Sequence, residues 1–349
     1  MTDRPPDSAV ASLRVLLDAL PEPSLIVANG RVEISNRAAR EILGEWIDGQ
    51  DVRLAIRHPA AVERLLGSNN STSTDEVELA GIGSAERRWM MNVRALGDGR
   101  KFVRLTDRSE SYAAEQMRVD FVANASHELR TPLATLVGYA ETLREQGDDL
   151  DSSTRERFTG IIHDEARRMQ RLVEDLISLS RIEAERFSPL PEAIELLPLI
   201  DEAIENCRNS AAERACQVRL ETPQQLPAIA GDRGQLLQLL DNLISNSIRY
   251  GRAGGEIVLR AVAERNMVRL TVSDQGEGIA PEHIPRLTQR FYRVDPSRSR
   301  SQGGTGLGLA IVKYIVERHR GRLSIESRLG HGTTVHVLLP LAEARATKV

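Results

Sequence analysis

Two long stretches with a seven-residue apolar repeat constrain the fold more than any other feature of the sequence. The first stretch carries Val122, Leu129, Leu136 and Leu143, with Ala125 and Leu133 on the same stripe. The second follows the break "GDDLDSST" and carries Ile162, Met169, Leu172, Leu176 and Leu179. Candidate N-cap residues for the second stretch are Asp151, Ser152 and Ser153. Because heptad spacing is typical of helices that pack along a seam, we predict a helical hairpin over residues 109–187.

A single hairpin would leave its seam half exposed, so the repeat favours a dimeric four-helix bundle. With Val122 at position a and Ala125 at d, His127 falls at f, the position farthest from the seam. A histidine there is either a surface decoration or a solvent-exposed nucleophile. Glu128 beside it can accept the other ring proton and fix the tautomer. Pro132 cannot donate a backbone hydrogen bond to the carbonyl of Glu128, which predicts a weak point in the helix.

The segments on either side of the hairpin predict mixed α and β structure. Residues 11–108 contain short alternating runs, with "ANGR" and "GDGR" placed between them in the manner of hairpin turns. Residues 190–341 alternate helical stretches with strand-like ones such as EIVLRAVAE and MVRLTVSDQG. The predicted fold class is therefore α+β multidomain. It has a small α+β domain at 11–108, the hairpin at 109–187 and an α/β sandwich at 190–341.

Composition excludes several classes of protein. The length of 349 residues suggests two or three domains, and the net charge of -4 gives no reason to expect nucleic-acid binding. No apolar run approaches the roughly 18 residues of a transmembrane helix, and the N-terminus lacks the pattern of a secretory signal. Cys207 and Cys216 match no zinc or redox spacing, so we interpret both as structural thiols. These features favour a soluble cytoplasmic protein.

Five motifs in the C-terminal zone predict a nucleotide site. In order they are "DNLISNSIRYG" (241–251), "DQGEGI" (274–279), "RFYRVD" (290–295), "GGTGLGLAIVK" (303–313) and "GHGTT" (330–334). Asn242 and Asn246 are four residues apart on one helix face, where their carbonyl oxygens can hold a hydrated Mg²⁺ that bridges phosphates. Arg249 follows on nearly the same face and can offset phosphate charge.

The remaining motifs predict the surroundings of a base and an anion. Asp274 ends a strand, where it can accept a hydrogen bond from an exocyclic amine, while Gly276 and Gly278 let the backbone approach a planar ring. The glycines of "GGTGLGLAIVK" precede a helix, so its free amides and dipole face an anion. Thr333 adds one hydroxyl. Walker and Rossmann patterns are both absent, so neither of those folds is predicted.

These motifs closely resemble those of the sensor histidine kinases of two-component signalling. "NASHELRTPLATLVGYAE" resembles their H-box, and the five later motifs resemble the N, G1, F, G2 and G3 boxes of a Bergerat-type ATP-binding domain. The resemblance covers residues 112–341. Residues 11–108 more loosely resemble a PAS sensor domain, and the order of segments is similar to sensor kinases of the phosphate-starvation system.

The resemblance implies that His127 attacks the γ-phosphoryl group of ATP and that Glu128 is the general base. It implies that Asn246 binds Mg²⁺ with help from Asn242, and that the phosphoryl group passes to an aspartate of a response regulator. Thr131 matches the position that orients water for dephosphorylating that partner. The remaining residues that it implies in ATP binding are Arg249, Tyr250, Asp274, Gly276, Gly278, Arg293, Gly304, Thr305, Gly306, Leu307, Gly308 and Thr333, with Arg293 on a lid at 281–305.

The sequence departs from the family in three respects. Arg249 stands where lysine is usual, and Val335 stands where phenylalanine is usual. Most members carry transmembrane segments before the PAS domain, whereas none is predicted here. We expect a cytosolic member that senses through another protein, because the chain begins at Met1, although an upstream segment could instead be missing. In the N-terminal domain, which has no cysteine for a flavin adduct, we interpret His58 as a surface histidine rather than a haem ligand.

Two alternatives to a kinase stay open at this point. The chain could be a non-enzymatic dimeric sensor with a degenerate nucleotide domain, although Asn246, Asp274 and the G2 glycines are intact. It could also be an ATPase of the gyrase, Hsp90 or MutL type, although those proteins lack a dimerising hairpin with an H-box.

Overall fold

The structure is a computed structural model, and it describes residues 7–67, 76–84, 86–97, 99–147, 149–185, 188–190, 192–295 and 304–342. The chain divides into two compact units, Met1–Val122 and Ala123–Val349, and each unit is described by itself. The boundary between them falls inside the long helix that begins at Ser109.

The first unit is built on one antiparallel sheet, with short helices between its second and third strands. Its elements are α1 (Asp7–Asp18), β1 (Ser24–Ala28), β2 (Arg31–Ser35), α2 (Arg37–Leu43), α3 (Val52–Ala55), α4 (Pro59–Leu66), β3 (Glu76–Ala80), β4 (Arg88–Gly97) and β5 (Arg100–Asp107). The strand order is β2-β1-β5-β4-β3. Asn29 and Gly30 both have positive φ, 50° and 73°, which is the backbone of a tight two-residue hairpin turn. The predicted turn at "ANGR" is confirmed.

One buried asparagine connects three elements of the first unit through hydrogen bonds. Asn36 is fully buried at the N-cap of α2, and its Oδ1 accepts hydrogen bonds from the backbone amides of Ser24 and Ala39, both at 2.9 Å. Its Nδ2 donates to the carbonyl oxygens of Leu17, Leu20 and Glu22, at 3.2, 3.1 and 2.8 Å. The side chain therefore fixes the end of α1, the start of β1 and the start of α2 at one point.

Two long helices follow the sheet, as the heptad repeats predict. These are α5 (Ser109–Gln146) and α6 (Ser152–Ala184). Asp107 precedes α5, and its carboxylate accepts a hydrogen bond from the backbone amide of Ser109 at 2.9 Å. Hydrogen bonds with the side chain and the backbone of Ser109 lower the pKa of Asp107. Asp151 is the N-cap of α6, accepting from the amide of Thr154 at 2.8 Å. Within the described ranges, no helix combines the length and the apolar character that crossing a membrane requires.

The burial pattern of the hairpin differs in part from the predicted stripe. Leu172 and Leu179 on α6 are buried as predicted. On α5, Leu133 is exposed and Pro132 is buried in its place. The helix continues through Pro132 without interruption. The missing backbone donor costs one hydrogen bond, and the apolar contact of the buried ring offsets that loss. The exposed apolar side chains of the hairpin after Val122 are Leu133, Val137, Val173 and Ile177.

The rest of the second unit is a two-layer sandwich of helices on a sheet. Its elements are β6 (Glu192–Ile194), α7 (Leu196–Asn206), α8 (Arg208–Glu213), β7 (Gln217–Glu221), β8 (Ile229–Gly231), α9 (Arg233–Tyr250), β9 (Glu256–Glu264), β10 (Met267–Asp274), a 3-10 turn (Ile284–Arg286), α10 (Gly308–Arg318), β11 (Arg322–Arg328) and β12 (Gly332–Pro340). The main sheet has the order β11-β12-β10-β9-β7, and all its pairs are antiparallel except β7 with β9. The α/β sandwich that the sequence predicts is present.

Alternating side chains of the sheet form the core of this sandwich. On β10 the buried residues are Val268, Leu270 and Val272, and they face the apolar side of α9. Helices α7 and α10 both pack against α9, so α9 lies in the middle of the helical layer. Cys207 and Cys216 are buried and unpaired, and burial raises the pKa of Cys207 to about 11. Their interpretation as structural thiols is consistent with this burial.

Candidate functional site

The H-box histidine faces solvent. His127 lies on α5 with an exposed side chain, as expected for heptad position f. Thr131, one turn later, donates from Oγ1 to the backbone carbonyl of His127 at 3.4 Å. The hydroxyl of Thr131 therefore lies on the same side of the helix as His127 and close to its backbone.

Glu128 contacts arginines rather than the neighbouring imidazole. Its Oε2 accepts from Nη2 of Arg293 at 2.8 Å and from Nη2 of Arg168 at 3.4 Å. Among the described residues, no hydrogen bond joins Glu128 to the ring of His127, so the predicted fixing of the tautomer is not made in this conformation. Arg293 belongs to the F-box motif. This contact brings the sandwich that is predicted to bind the nucleotide, called the catalytic domain below, to the residue beside His127.

A cleft opens between His127 and the catalytic domain. It has a volume of about 260 Å³. Its lining residues are Asn124, His127 and Glu128 from α5, with Arg286, Gln289, Arg290, Phe291 and Tyr292 from the catalytic domain. His127 is thus open to a space that has arginines on its opposite wall.

The two asparagines of the N-box lie beside the start of α10. Gly308 begins α10, and a Cβ built there would lie 2.7 Å from Oδ1 of Asn242 and 3.7 Å from Nδ2 of Asn246. A larger residue at position 308 would displace the side-chain amide of Asn242. Asn242 donates from Nδ2 to the carbonyl of Gln238 at 2.9 Å, which leaves its Oδ1 turned toward Gly308. The N-terminal end of α10 and both amides therefore form one polar corner.

This corner fits a phosphate-bound Mg²⁺ better than a metal site made only by the protein. Among the described residues, no group of three or more histidine, cysteine, aspartate or glutamate side chains could hold a metal ion. Neutral amide oxygens are weak ligands alone, and Mg²⁺ is commonly held by few protein groups together with substrate phosphates. The donor set of Asn242 and Asn246 is consistent with that arrangement.

Asp274 ends β10 and is held by its own neighbours. Its Oδ1 accepts from the backbone amide of Gly276 at 2.9 Å, and its Oδ2 accepts from Oγ of Ser247 at 3.4 Å. Burial raises the pKa of Asp274, and the hydrogen bonds from Gly276, Thr333 and Ser247 oppose that rise. The hydroxyl of Thr333 pairs with that of Ser327 at 2.9 Å.

The glycine after Asp274 has a packing role that the sequence analysis did not foresee. A Cβ at Gly276 would lie 2.5 Å from the carbonyl oxygen of Tyr250 and 2.8 Å from Oδ1 of Asp274. Gly276 is therefore required where the G1 loop crosses the end of α9, whether or not a ring is bound. Gly278 has a positive φ of 69°, as a tight turn of the same loop requires.

The G2 loop contacts the hairpin. Thr305 donates from Oγ1 to Oδ2 of Asp175 on α6 at 2.7 Å, and its Oγ1 also accepts the backbone amide of Leu307 at 3.3 Å. Burial raises the pKa of Asp175, whereas Thr305 and the charges of Arg249 and Arg171 oppose that rise. The side chain of Leu307 is fully buried, so only its backbone remains available to a nucleotide. Gly304 and Gly306 complete the described part of this loop.

The other predicted nucleotide residues lie around the end of α9. Tyr250 is exposed, and Arg249 is half-buried with its charge near Asp175. The predicted lid at 281–305 is described as far as residue 295 and again from residue 304, and its central part lies outside the described residues.

The last turns of α6 dock against the catalytic domain through polar pairs that sequence reasoning missed. Oγ of Ser178 donates to Oε1 of Gln238 at 2.6 Å, and Nη1 of Arg318 donates to Oε2 of Glu185 at 2.6 Å. Glu183 pairs with Arg290. Arg168 and Asp175 were missed as well. They are seven residues apart and flank the heptad seam. Charged residues that recur at this spacing beside an apolar seam were the signal that could have indicated a docking surface.

Two family descriptions match the hairpin and the sandwich separately. Residues 117–185 match the His Kinase A (phospho-acceptor) domain. Residues 231–343 match the histidine kinase-, DNA gyrase B-, and HSP90-like ATPase. A phospho-acceptor hairpin followed by an ATPase domain of this type defines an ATP-dependent protein-histidine kinase.

Relatives cover nearly the whole chain. The phosphate regulon sensor protein PhoR of Pseudomonas aeruginosa is 34% identical over 313 residues, which cover 89% of this chain and 70% of that protein. The sensor protein SrrB of Staphylococcus aureus is 31% identical over 329 residues, which cover 94% of this chain and 55% of that protein. The chain belongs to the sensor histidine kinases of two-component signalling.

Solved structures share the fold. Histidine kinase ThkA, in a complex with response regulator protein TrrA, is 20% identical with a TM-score of 0.52, covering 94% of this chain and 98% of that chain. Histidine kinase AdeS of Acinetobacter baumannii is 23% identical with a TM-score of 0.51, covering 62% of this chain and 98% of that chain. The helical hairpin followed by an α/β ATPase domain is thus a fold that sensor kinases share.

Proposed function

We propose that the chain phosphorylates His127 from Mg-ATP and passes the phosphoryl group to an aspartate of a response regulator. The observation that carries this proposal is the 2.8 Å hydrogen bond from Arg293 to Glu128. It joins the catalytic domain to the residue next to an exposed histidine. Phosphoryl transfer depends mostly on positioning and charge neutralisation, and this contact supports both.

The roles follow from the chemistry of each group. One ring nitrogen of His127 attacks the γ-phosphorus, and the bond from phosphorus to the ADP oxygen breaks with its electron pair on ADP. Glu128 takes the proton from the other ring nitrogen. When bound, Mg²⁺ would neutralise phosphate charge, held by Asn246 with Asn242. Asp274 would accept a hydrogen bond from the exocyclic amine of adenine.

The rest of the nucleotide would lie against groups already near this corner. Tyr250 would lie along the nucleotide, while Arg249 and Arg293 would offset phosphate charge. Backbone amides at the start of α10 would face the phosphates. The other members of the proposed ATP site are Gly276, Gly278, Gly304, Thr305, Gly306, Leu307, Gly308 and Thr333, with Leu307 acting through its backbone.

A second activity is proposed for the same surface. Thr131 places a hydroxyl on the His127 side of α5, one turn farther along. From there it can orient a water molecule toward the phosphoaspartate of a docked regulator. This supports phosphatase activity toward the partner in addition to kinase activity.

The exposed apolar side chains of the hairpin support a homodimer. Leu133, Val137, Val173 and Ile177 would pack against the same residues of a second copy, completing a four-helix bundle. Isologous packing of this kind is the commonest arrangement of soluble dimers.

We further propose the domain division 11–108, 109–187 and 190–341, with a PAS-like sensor domain first. The strand order β2-β1-β5-β4-β3, with three helices between β2 and β3, supports the PAS-like assignment. The likeness to PhoR supports a role in phosphate-starvation signalling, although the likeness to SrrB extends over more of the chain.

Incubation with γ-labelled ATP and Mg²⁺ tests the proposal. We expect acid-labile, base-stable label on the wild-type chain and none on His127→Gln. Unlabelled protein that still hydrolyses ATP would support an ATPase of the gyrase type instead. Absence of both label and hydrolysis would support a non-enzymatic sensor.

A further inference from the structure

Glu128 is held by two guanidinium groups that come from different parts of the chain. Both reach the same oxygen, Oε2: Arg293 of the catalytic domain at 2.8 Å and Arg168 of α6 at 3.4 Å. No hydrogen bond from the described residues reaches Oε1. The carboxylate is thus fixed through one oxygen, and the other oxygen is left to accept a proton.

The two arginines differ in what else they can bind. The side chain of Arg293 is only 6% exposed, and its buried Nε has no hydrogen-bond partner within the described part of the chain. Such a guanidinium is poorly satisfied where it is, and a phosphate oxygen is a stronger acceptor for it. Arg293 is therefore free to exchange Glu128 for a nucleotide phosphate.

Arg168 has no such exchange open to it. It lies on the same hairpin as Glu128, its side chain is 10% exposed, and its other partner is Glu165 on its own helix at 3.5 Å. Without Glu128, this buried guanidinium would keep only the longer of its two described contacts, with Glu165, and a buried charge that loses one of its partners is unfavourable. Arg168 therefore stays with Glu128 when Arg293 leaves.

We propose that Arg168 is a positioning residue for the phosphorylation of His127. It holds Oε2 of Glu128 while Oε1 takes the ring proton of His127 and the new bond from nitrogen to phosphorus forms. Without Arg168, the three rotatable bonds of the glutamate would carry the carboxylate into solvent once Arg293 had turned to the phosphates. This inference rests on the proposed role of Glu128 as the base.

A double-mutant cycle on the full-length chain tests it. We expect Arg168→Met to lower the maximal rate of His127 labelling at least tenfold, while the KM for ATP stays within about twofold of wild type, because Arg168 is not among the residues proposed to bind the nucleotide. The loss cannot exceed the whole contribution of the general base, which is typically about 100- to 10,000-fold. In a Glu128→Gln background, the same substitution should have no further effect.

Two further variants make the result specific. Arg167→Met removes an exposed arginine from the neighbouring position of α6 and should label like wild type. Arg168→Lys keeps a charge in the buried position and should recover part of the rate. It also covers the case in which Arg168→Met fails to bind nucleotide because it is misfolded.

The outcomes separate the inference from the proposed function. An equal loss from Arg168→Met with and without Glu128→Gln would overturn the positioning role, as would a parallel loss of ATP affinity. Full labelling of Glu128→Gln would instead overturn the base assignment, and the inference with it. An unlabelled wild-type chain would refute the kinase itself.

Discussion

His319 is the buried histidine from which we expect a pH dependence of the stability of the catalytic domain. It is fully buried, its Nδ1–H donates to the carbonyl of Ile315 at 2.7 Å, and its Nε2 accepts the backbone amide of Asp232 at 3.1 Å. Burial lowers the pKa of His319, because the charged ring loses its hydration, while the hydrogen bond to Ile315 opposes that shift. Asp232 is the N-cap of α9, so this ring links the end of α10 to the start of the helix that carries the N-box.

The sign of the pH effect follows from that shift. Below the ordinary histidine pKa of about 6.5, the unfolded chain binds a proton that the folded chain does not. The free energy of unfolding should therefore fall as the pH drops below about 6.5, by at most about 1.4 kcal/mol per pH unit. Above that pH the contribution is fully present. Urea unfolding followed by circular dichroism between pH 7.5 and 5.5 would measure the slope.

A matched pair of variants isolates the effect of His319. His319→Gln should flatten the slope, because glutamine does not titrate. His331→Gln, at an exposed position, should leave it unchanged. Equal slopes in both variants would assign the pH dependence to other groups.

Asn36 is expected to carry a large share of the stability of the first unit. Asn36→Ala would remove five hydrogen bonds from a buried site, and we expect a loss of about 3 kcal/mol. Both tryptophans, Trp46 and Trp89, lie in this unit, so their fluorescence reports its unfolding. Arg37→Ala, at an exposed neighbouring position, should change the stability by less than about 0.5 kcal/mol. Similar midpoints for both variants would contradict this role.

At the scale of whole elements, local pattern was sufficient for most of the fold. The strands β9 and β10 and the helices α5 and α6 were predicted because each carries a clear period or a bounded apolar run. The stretch LLPLIDEAIENCRNSAAERA has the pattern of one helix, but the structure divides it at Cys207 into α7 and α8. The short strands β6 and β8 were not foreseen, since three residues carry no detectable period.

Contacts between elements were less predictable than the elements. The sequence placed Glu128 beside His127, but Arg168 and Arg293 reach it from 40 and 165 residues away. Only the packed hairpin and the docked catalytic domain bring those charges together. For the same reason, Gly276 was interpreted through a ligand, whereas its nearest constraint is the carbonyl of Tyr250.

The outer face of α6 provides a test of the proposed dimer. Ile177 is 62% exposed, so Ile177→Glu removes no core contact from the single chain. In a four-helix bundle the same substitution would bury a charge, and we expect monomers by sedimentation. Leu96→Glu replaces a comparably exposed side chain, 55%, in the first unit and should sediment like wild type. A dimer that persists in Ile177→Glu would refute a bundle formed through this face.

For the molecule as a whole, mixed dimers distinguish phosphorylation of His127 within one chain from phosphorylation between the two chains of the proposed dimer. The contacts of Arg293 with Glu128 and of Thr305 with Asp175 show that the nucleotide domain can reach the hairpin of its own chain. In mixed dimers of His127→Gln and Asn246→Ala, we therefore expect no label above background, because neither chain holds both an acceptor and an intact nucleotide site. Mixed dimers of wild type with His127→Gln should label only the wild-type chain. Label on Asn246→Ala would indicate transfer between chains.

The docking of the hairpin on the catalytic domain makes the position of that domain sensitive to salt. Glu128 with Arg293, Glu183 with Arg290, and Glu185 with Arg318 are charged pairs, each with a partly exposed carboxylate. Dissolved ions weaken such pairs, since screening acts over about 10 Å at 0.1 M salt. Small-angle scattering across a salt series should show the docked population decreasing as the salt concentration rises. An unchanged scattering profile would exclude this effect of salt on docking. The docked population of this kinase would then depend on the ionic strength around it, without a ligand.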